Sequence, residues 1–253
     1  MTPEDLLSSL LTEAQGNWEF EGFTSESLEF FDDFPQNISK SNEWWRGKKG
    51  MNTAYLKPEF EAFIQSIIQV ISRFDRGIET NPNTCIGRPT SQNKGAAFPY
   101  RWGAIHSARA DKRIDVQFFL NLTSMGLRVG IYSGWNAAGP KAWAARQRKI
   151  IREKGPIFEQ LKILEKVEYR LIKTSEQDHA DKSAGTEYDP STSLEMCNII
   201  SENKQIGILK ILDIRNMTTQ ELKENILKAF VETRKIYQLL QPSSYSSYAR
   251  DLV

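Results

Sequence analysis

The feature that most constrains the fold is a pair of alternating segments near the centre of the 253-residue chain. Residues 113–122 (RIDVQFFLNL) place apolar side chains at every second position, and residues 127–134 (LRVGIYSG) repeat the pattern. A short Thr-Ser-Met-Gly turn joins them. Two period-2 runs across a glycine-containing turn are typical of an antiparallel hairpin, so we predict a sheet built around 113–122 and 127–134.

Helical periodicity recurs outside the hairpin. Residues 57–74 repeat large apolar side chains every three or four positions, and residues 219–240 begin with Thr218 and Glu221 spaced for a capping box. We therefore predict an α+β fold, with one mainly antiparallel sheet and helices packed on one side, in a single domain over residues 1–253. The remaining predicted elements are helices at 3–15, near 24–33, at 140–153 and at 156–165, and strands at 102–108, 167–173 and 206–214.

The charge is unevenly distributed although the net charge is only +1. Residues 1–40 hold nine acids and one base, a balance of −8, whereas residues 81–160 hold thirteen bases and four acids, a balance of +9. A strongly positive middle segment attracts polyanions. The alternative is that the acidic helical segment 1–40 packs on the 41–240 body and neutralises the basic region within one molecule.

The sequence contains few of the motifs and residues that catalysis commonly uses. It has no phosphate-binding glycine loop, no nucleophile elbow and no HExxH motif, and its two histidines are His106 and His179. The two cysteines, Cys85 and Cys197, suggest neither a disulfide framework nor a zinc site. We expect no cofactor, no metal and no catalytic residue, although an enzyme stays an open alternative.

The N-terminal charges and the lengths of the apolar runs favour a cytoplasmic location. The first residues carry acids where a signal peptide carries bases, and no apolar run approaches the roughly 18 residues that span a bilayer. We therefore expect no membrane partner.

Cations interleaved with aromatic rings around the hairpin favour nucleic-acid binding, because cations pair with phosphates and rings stack on bases. We predict a non-enzymatic module that binds DNA or RNA. The predicted phosphate contacts are Arg101, Arg109, Lys112, Arg113 and Arg128, and the predicted base contacts are Trp102, Phe119, Tyr132 and Trp135.

Two alternatives stay open. The chain could be an enzyme or small-molecule binder that uses a pocket between loop 76–98 and the hairpin, with Lys94, Tyr100 and His106 as polar groups. It could instead be a protein-interaction domain. The ring of Phe119 could also be buried on a two-sided sheet.

Collinear motifs over about residues 30–240 resemble a bacterial and fungal domain family of unknown function. Ser41-Asn42-Glu43-Trp44-Trp45 followed by Lys48 is similar to the family's N-x-x-x-WF-x-x-x-K segment. Lys94 with Pro99-Tyr100-Arg101 and Gly103-Ala104 is similar to its K-x-PYK…GA segment. Residues 86–91 replace that family's arginine-rich RD-x-RFS segment, so no role of those arginines transfers here.

A second similarity, to the N-terminal modified-DNA-reading region of McrB-type restriction proteins, rests on shorter motifs. Residues 99–105 (PYRWGAI) followed by a hairpin ending in Gly134 are similar to its PW-x-A-I…YL-x-L-x-x-G pattern. This resemblance implies a DNA reader in a restriction or defence system, without catalysis of its own. It also implies motor and nuclease subunits as partners.

Overall fold

The computed structural model of the chain describes residues 1–90, 97–108, 116–134, 147–173, 186–188 and 205–241. Within them the centre of the fold is an antiparallel sheet of six strands, in the order β1-β2-β3-β6-β4-β5. The strands are β1 (Tyr100–Ile105), β2 (Val116–Thr123), β3 (Gly126–Gly134), β4 (Arg170–Lys173), β5 (Thr186–Tyr188) and β6 (Gln205–Leu212).

The predicted hairpin is formed by β2 and β3. Its register runs from Val116 opposite Ser133 to Thr123 opposite Gly126. The Thr123 hydroxyl donates to the Gly126 carbonyl over 3.0 Å and accepts from the Met125 N–H over 3.1 Å. These two bonds hold the turn and fix the register, because the side-chain hydroxyl satisfies backbone groups that the strands leave open.

The helices pack against the sheet and against one another. Their order is α1 (Pro3–Asn17), α2 (Ser25–Leu28), α3 (Ser41–Met51), α4 (Lys57–Ile71), α5 (Pro82–Cys85), α6 (147–152), α7 (Lys154–Glu165) and α8 (Thr219–Leu240). A single π-helical turn, Asn52–Leu56, joins α3 to α4. No helix in the described part of the chain is long and apolar enough to cross a membrane.

One face of the sheet, which we call the helix face, carries the main core. Val116, Phe118, Leu120 and Leu122 point into it from β2, and each is at most 2% exposed. Phe118 meets Phe230 of α8 edge to face, with ring centroids 5.5 Å apart. The helices therefore cover one side of the α+β sheet, which confirms the predicted fold class.

The N-terminal helix belongs to the same core. Leu6 and Leu10 of α1 are buried in the main cluster, where α1 contacts α4 and α8. The helix begins with a capping box in which Thr2 and Asp5 exchange hydrogen bonds of 3.1 Å. The acidic start of the chain is thus packed on the helices that cover the sheet.

Candidate functional site on the second face of the sheet

The opposite side of the sheet, which we call the second face, collects the alternate side chains of the same strands. Because successive strand residues point to opposite faces, the register defines which residues share it. Trp102, Asn121, Arg128 and Ile211 form one row across β1, β2, β3 and β6. The next row contains Ala104, Phe119, Gly130 and Leu209, and a third contains Gln117, Tyr132, Gly207 and Ile172.

Aromatic rings form a diagonal across this face, which we call the ring row: Trp102, Phe119 and Tyr132. The centroids of Trp102 and Phe119 lie 5.9 Å apart with planes inclined by 32°, and those of Phe119 and Tyr132 lie 5.0 Å apart with planes inclined by 31°. Phe119 is buried among Ala104 and Leu209, while Trp102 and Tyr132 are partly exposed. The row therefore offers two accessible rings on a buried apolar base.

Two glycines shape the surroundings of the ring row. Gly130 has a φ of 150°, and a Cβ there would collide with the Ile208 backbone of β6, so only glycine lets β3 and β6 approach this closely. Gly87 lies against the Trp102 indole, where a Cβ would overlap the ring, and its N–H donates to the Trp102 carbonyl over 2.9 Å. The loop before β1 thus forms a wall beside Trp102.

Arg128 lies on this face next to the ring row and is 6% exposed. Its Nε has no hydrogen-bond partner among the residues that the structure describes. Burial lowers the pKa of Arg128 below its usual value, and the nearby Tyr100 phenol acts in the opposite direction. Among the described residues no carboxylate forms an ion pair with this buried guanidinium, which is unfavourable, so the site holds a cation that a ligand could satisfy.

Tyr100 lies two residues before Trp102 on the same face and is 8% exposed. Its ring stacks on Phe98 at 5.3 Å with an interplanar angle of 5°. Burial raises the pKa of Tyr100 far above its usual value, Tyr132 raises it further, and Arg128 lowers it. The phenol is therefore neutral at neutral pH and supplies no counter-charge to Arg128.

Asn121 is the third polar group, directly opposite Arg128 in the hairpin and 6% exposed. Its Oδ1 accepts no hydrogen bond within the described part of the chain. Buried polar atoms are normally satisfied, and unsatisfied ones require an explanation. An open donor and an open acceptor thus stand side by side on neighbouring strands.

The structure brings only some of the predicted site residues together. Trp102, Phe119, Arg128 and Tyr132 share the second face, and so does Tyr100 from the alternative pocket. His106 follows β1, is 4% exposed, and its Nδ1 lies 2.9 Å from the Ser107 carbonyl oxygen. Arg109, Lys112, Arg113, Trp135 and Lys94 lie outside the described residues.

Arg101 does not belong to this group. It pairs with Leu122 of the helix face, is 5% exposed, and places its Cζ 6.0 Å from the centre of the Phe60 ring in α4. Burial lowers its pKa, whereas Glu61 favours its charged form. Arg101 and Arg128 therefore lie on opposite sides of the sheet and cannot contact one phosphate path together.

Asn121, Gly87 and Gly130 belong to this arrangement although the predicted site set omits them. Asn121 lies in the polar half of the β2 alternation, which is the signal that could have identified it. In the described part of the chain no three His, Cys, Asp or Glu side chains are grouped to hold a metal ion. The side chains that the structure describes on the second face can stack on a ring and form hydrogen bonds with it.

Comparison with known proteins places the chain in a family. No curated protein matches it significantly. The profile of the family described as "Conserved hypothetical protein (DUF2461)" matches residues 26–239, which include every strand of the sheet and most of α8. This match confirms the resemblance to a domain family of unknown function, and the chain belongs to the DUF2461 family.

Proposed function

We propose that the second face binds a planar heterocyclic ring of the nucleobase class. The observation that carries this proposal is the buried Arg128 guanidinium, whose Nε is unsatisfied within the described residues, beside the two accessible rings of the ring row. Trp102 or Tyr132 would stack on the ligand ring while Arg128 donates to an acceptor atom at its edge.

The energetics of both contacts favour such a ligand. Stacking of a base on an aromatic side chain contributes about 1–3 kcal/mol. Arginine is the side chain that most often donates to the acceptor atoms of a base edge. A ligand acceptor that meets the Arg128 Nε also gives a partner to a buried donor that is open among the described residues, so binding relieves an unfavourable burial.

The ring could belong to a free nucleotide or to a base that leaves a nucleic-acid strand. The similarity to the modified-DNA-reading region of McrB-type proteins and the +9 balance of residues 81–160 support the second source. In that case Arg109, Lys112, Arg113 and Trp135 stay predicted contacts of the strand. A DNA reader of this kind would act in a restriction or defence system beside motor and nuclease subunits.

One observation favours the free-nucleotide source. Gly87, from the loop that we predicted to flank a pocket, lies directly against Trp102. Arg101 and Arg128 are both buried, so neither contributes to a broad exposed phosphate-binding surface. The second face is therefore better suited to enclose one ring than to track a backbone.

A matched pair of variants tests the proposal. Arg128→Met and Arg101→Met each remove a buried arginine from the same sheet, but from opposite faces. We expect Arg128→Met to weaken binding of a nucleotide or a short single strand at least about tenfold, because one charged hydrogen bond contributes about 1.5–3 kcal/mol. Arg101→Met should bind normally. Titration followed by tryptophan fluorescence measures both.

Salt distinguishes the two sources. Affinity for a single strand should fall steeply between roughly 50 and 200 mM salt, whereas affinity for an uncharged nucleoside should change little. Failure of all nucleosides, nucleotides and oligonucleotides to bind at low salt contradicts the proposal. An equal loss of affinity in both arginine variants also contradicts it.

A further inference from the structure

We infer that Asn121 and Arg128 together select ring edges that carry an acceptor atom next to an N–H donor, which makes Asn121 a specificity-determining residue. This inference rests on the proposed binding of a planar ring. It goes further because it names the hydrogen-bonding pattern that the ligand must have.

The register places the two side chains next to each other. Asn121 and Arg128 are directly opposite in the β2–β3 hairpin, and both point to the second face. Directly opposite side chains in antiparallel strands have Cβ atoms about 4.5–5.5 Å apart. Both residues are 6% exposed, so neither the Nε donor of Arg128 nor the Oδ1 acceptor of Asn121 has ready access to water.

The two groups do not satisfy each other. Neither atom has a hydrogen-bond partner in the part of the chain that the structure describes, although one is a donor and the other an acceptor. Leaving both open in the interior is unfavourable unless a third molecule completes them. A complementary ligand must accept from Arg128 and donate to Asn121 at adjacent positions.

This requirement separates classes of ligand. A bare phosphate or carboxylate could accept from Arg128, but it would place its negative oxygens against the Asn121 carbonyl oxygen. A ring lactam, in which C=O and N–H are neighbours, supplies both groups in one plane. Guanine and uracil carry such an edge, and methylation of its ring nitrogen removes the donor.

The flanking residues sharpen the selection. Trp102 lies opposite Asn121 on one side, and Ile211, which is 49% exposed, lies opposite Arg128 on the other. The polar pair therefore stands between two apolar side chains. A site of this kind rejects a ligand that lacks the required N–H, because the buried acceptor then stays open.

The test uses two pairs of nucleosides with the full-length chain: guanosine with N1-methylguanosine, and uridine with N3-methyluridine. We expect the unmethylated member of each pair to bind about 10- to 100-fold more tightly, the effect of leaving one buried acceptor unsatisfied. Inorganic phosphate in equal concentration should not displace either nucleoside. Calorimetric titration gives the four affinities.

Asn121→Leu supplies the second measurement, since leucine keeps a similar volume without an acceptor. In this variant the methylated and unmethylated nucleosides should bind within about threefold of each other, because the discriminating hydrogen bond is gone. Equal binding of both members of each pair to the unaltered protein overturns the inference and leaves ring binding in place. Absence of binding by all four nucleosides overturns the proposed function and this inference with it.

Discussion

The two faces of the sheet surround their buried cations differently, although each buries one arginine whose Nε is open among the described residues: Arg101 on the helix face and Arg128 on the second face. On the helix face, Lys210 of β6 forms a 2.8 Å ion pair with Glu232 of α8, which also accepts a 2.9 Å hydrogen bond from the Tyr169 hydroxyl. On the second face, Arg128 of the neighbouring strand β3 is 6% exposed and leaves its Nε open in the described part of the fold. A paired cation and an open one thus lie on adjacent strands.

The difference indicates that the faces have different roles. The helix face combines apolar packing with the Lys210–Glu232 ion pair, and its Arg101 lies over the Phe60 ring with Glu61 favouring its charged form. The second face keeps Arg128 and Asn121 open beside a row of rings, an arrangement that lowers stability and is retained most readily where a ligand uses it. Variants on the two faces should therefore differ in their effects on stability and on binding.

The largest effect should come from Phe118 on the helix face. Phe118→Ala removes a ring that is 2% exposed and packs on Phe230, so we expect the free energy of unfolding to fall by about 3–5 kcal/mol. Denaturant unfolding followed by circular dichroism measures this loss. Met125→Ala, in the exposed hairpin turn, is the control and should change stability by less than about 0.5 kcal/mol. If both variants lost the same free energy of unfolding, the helix face would not be the surface that stabilises the fold.

Loss of the Lys210–Glu232 ion pair should have the second-largest effect on the free energy of unfolding. Glu232→Ala leaves Lys210, whose side chain is 11% exposed, without its partner and takes the acceptor from Tyr169, so we expect a loss of about 3 kcal/mol. Glu224→Ala, at an exposed position of the same helix, provides the control for helix propensity. If the two variants unfold at the same denaturant concentration, Lys210 is no better satisfied than Arg128, and the contrast between the faces fails.

Many of the helices and strands are predictable because the spacing of apolar residues along the chain indicates them. The predicted helix 219–240 coincides with Thr219–Leu240, and the predicted helix 57–74 overlaps Lys57–Ile71. The strand predicted at 206–214 is observed as Gln205–Leu212. The short strand Thr186–Tyr188 was missed, because three residues in a polar segment carry no period of their own.

The site was harder to predict than the fold. Alternation assigns Phe119 and Asn121 to one face of β2, but it does not show that this face is also buried. It does show that Arg101 and Trp102, as adjacent strand residues, point to opposite faces. The predicted contact set placed them together because it was chosen by residue type and not by alternation along the strand. Which rows line up across strands depends on the register, which the turn sets between β2 and β3 and tertiary packing sets for the other strands.

A smaller effect of opposite sign is expected on the second face. Arg128→Met replaces an unsatisfied buried guanidinium with an apolar side chain of similar length, so we expect the free energy of unfolding to rise by about 1 kcal/mol. The same variant should lose ring binding. Chemical denaturation and ligand titration on one preparation test both expectations. A variant that is clearly less stable than the parent would show that Arg128 supports the fold, which would weaken its assignment to a ligand.

The smallest effect concerns the start of α8, which covers the helix face only. Thr218→Ala removes a capping box in which the Glu221 N–H donates to Thr218 and the Thr218 N–H donates to Glu221, and it should reduce stability by roughly 0.5–1 kcal/mol. The bonds from the Thr218 backbone and hydroxyl lower the pKa of Glu221.

A lowered folded pKa fixes the direction of the pH dependence of this cap. Its stabilisation is complete above the unfolded pKa of a glutamate, about 4.3, and declines as the pH falls through the lowered folded value. The difference in unfolding free energy between the parent and Thr218→Ala should therefore be larger at pH 7 than near pH 3. Ring binding at pH 7 should be the same in both proteins, because the cap lies on the helix side. A binding defect in Thr218→Ala would mean that the two faces are coupled, and the separation of a stabilising face from a ligand-binding face would then have to be abandoned.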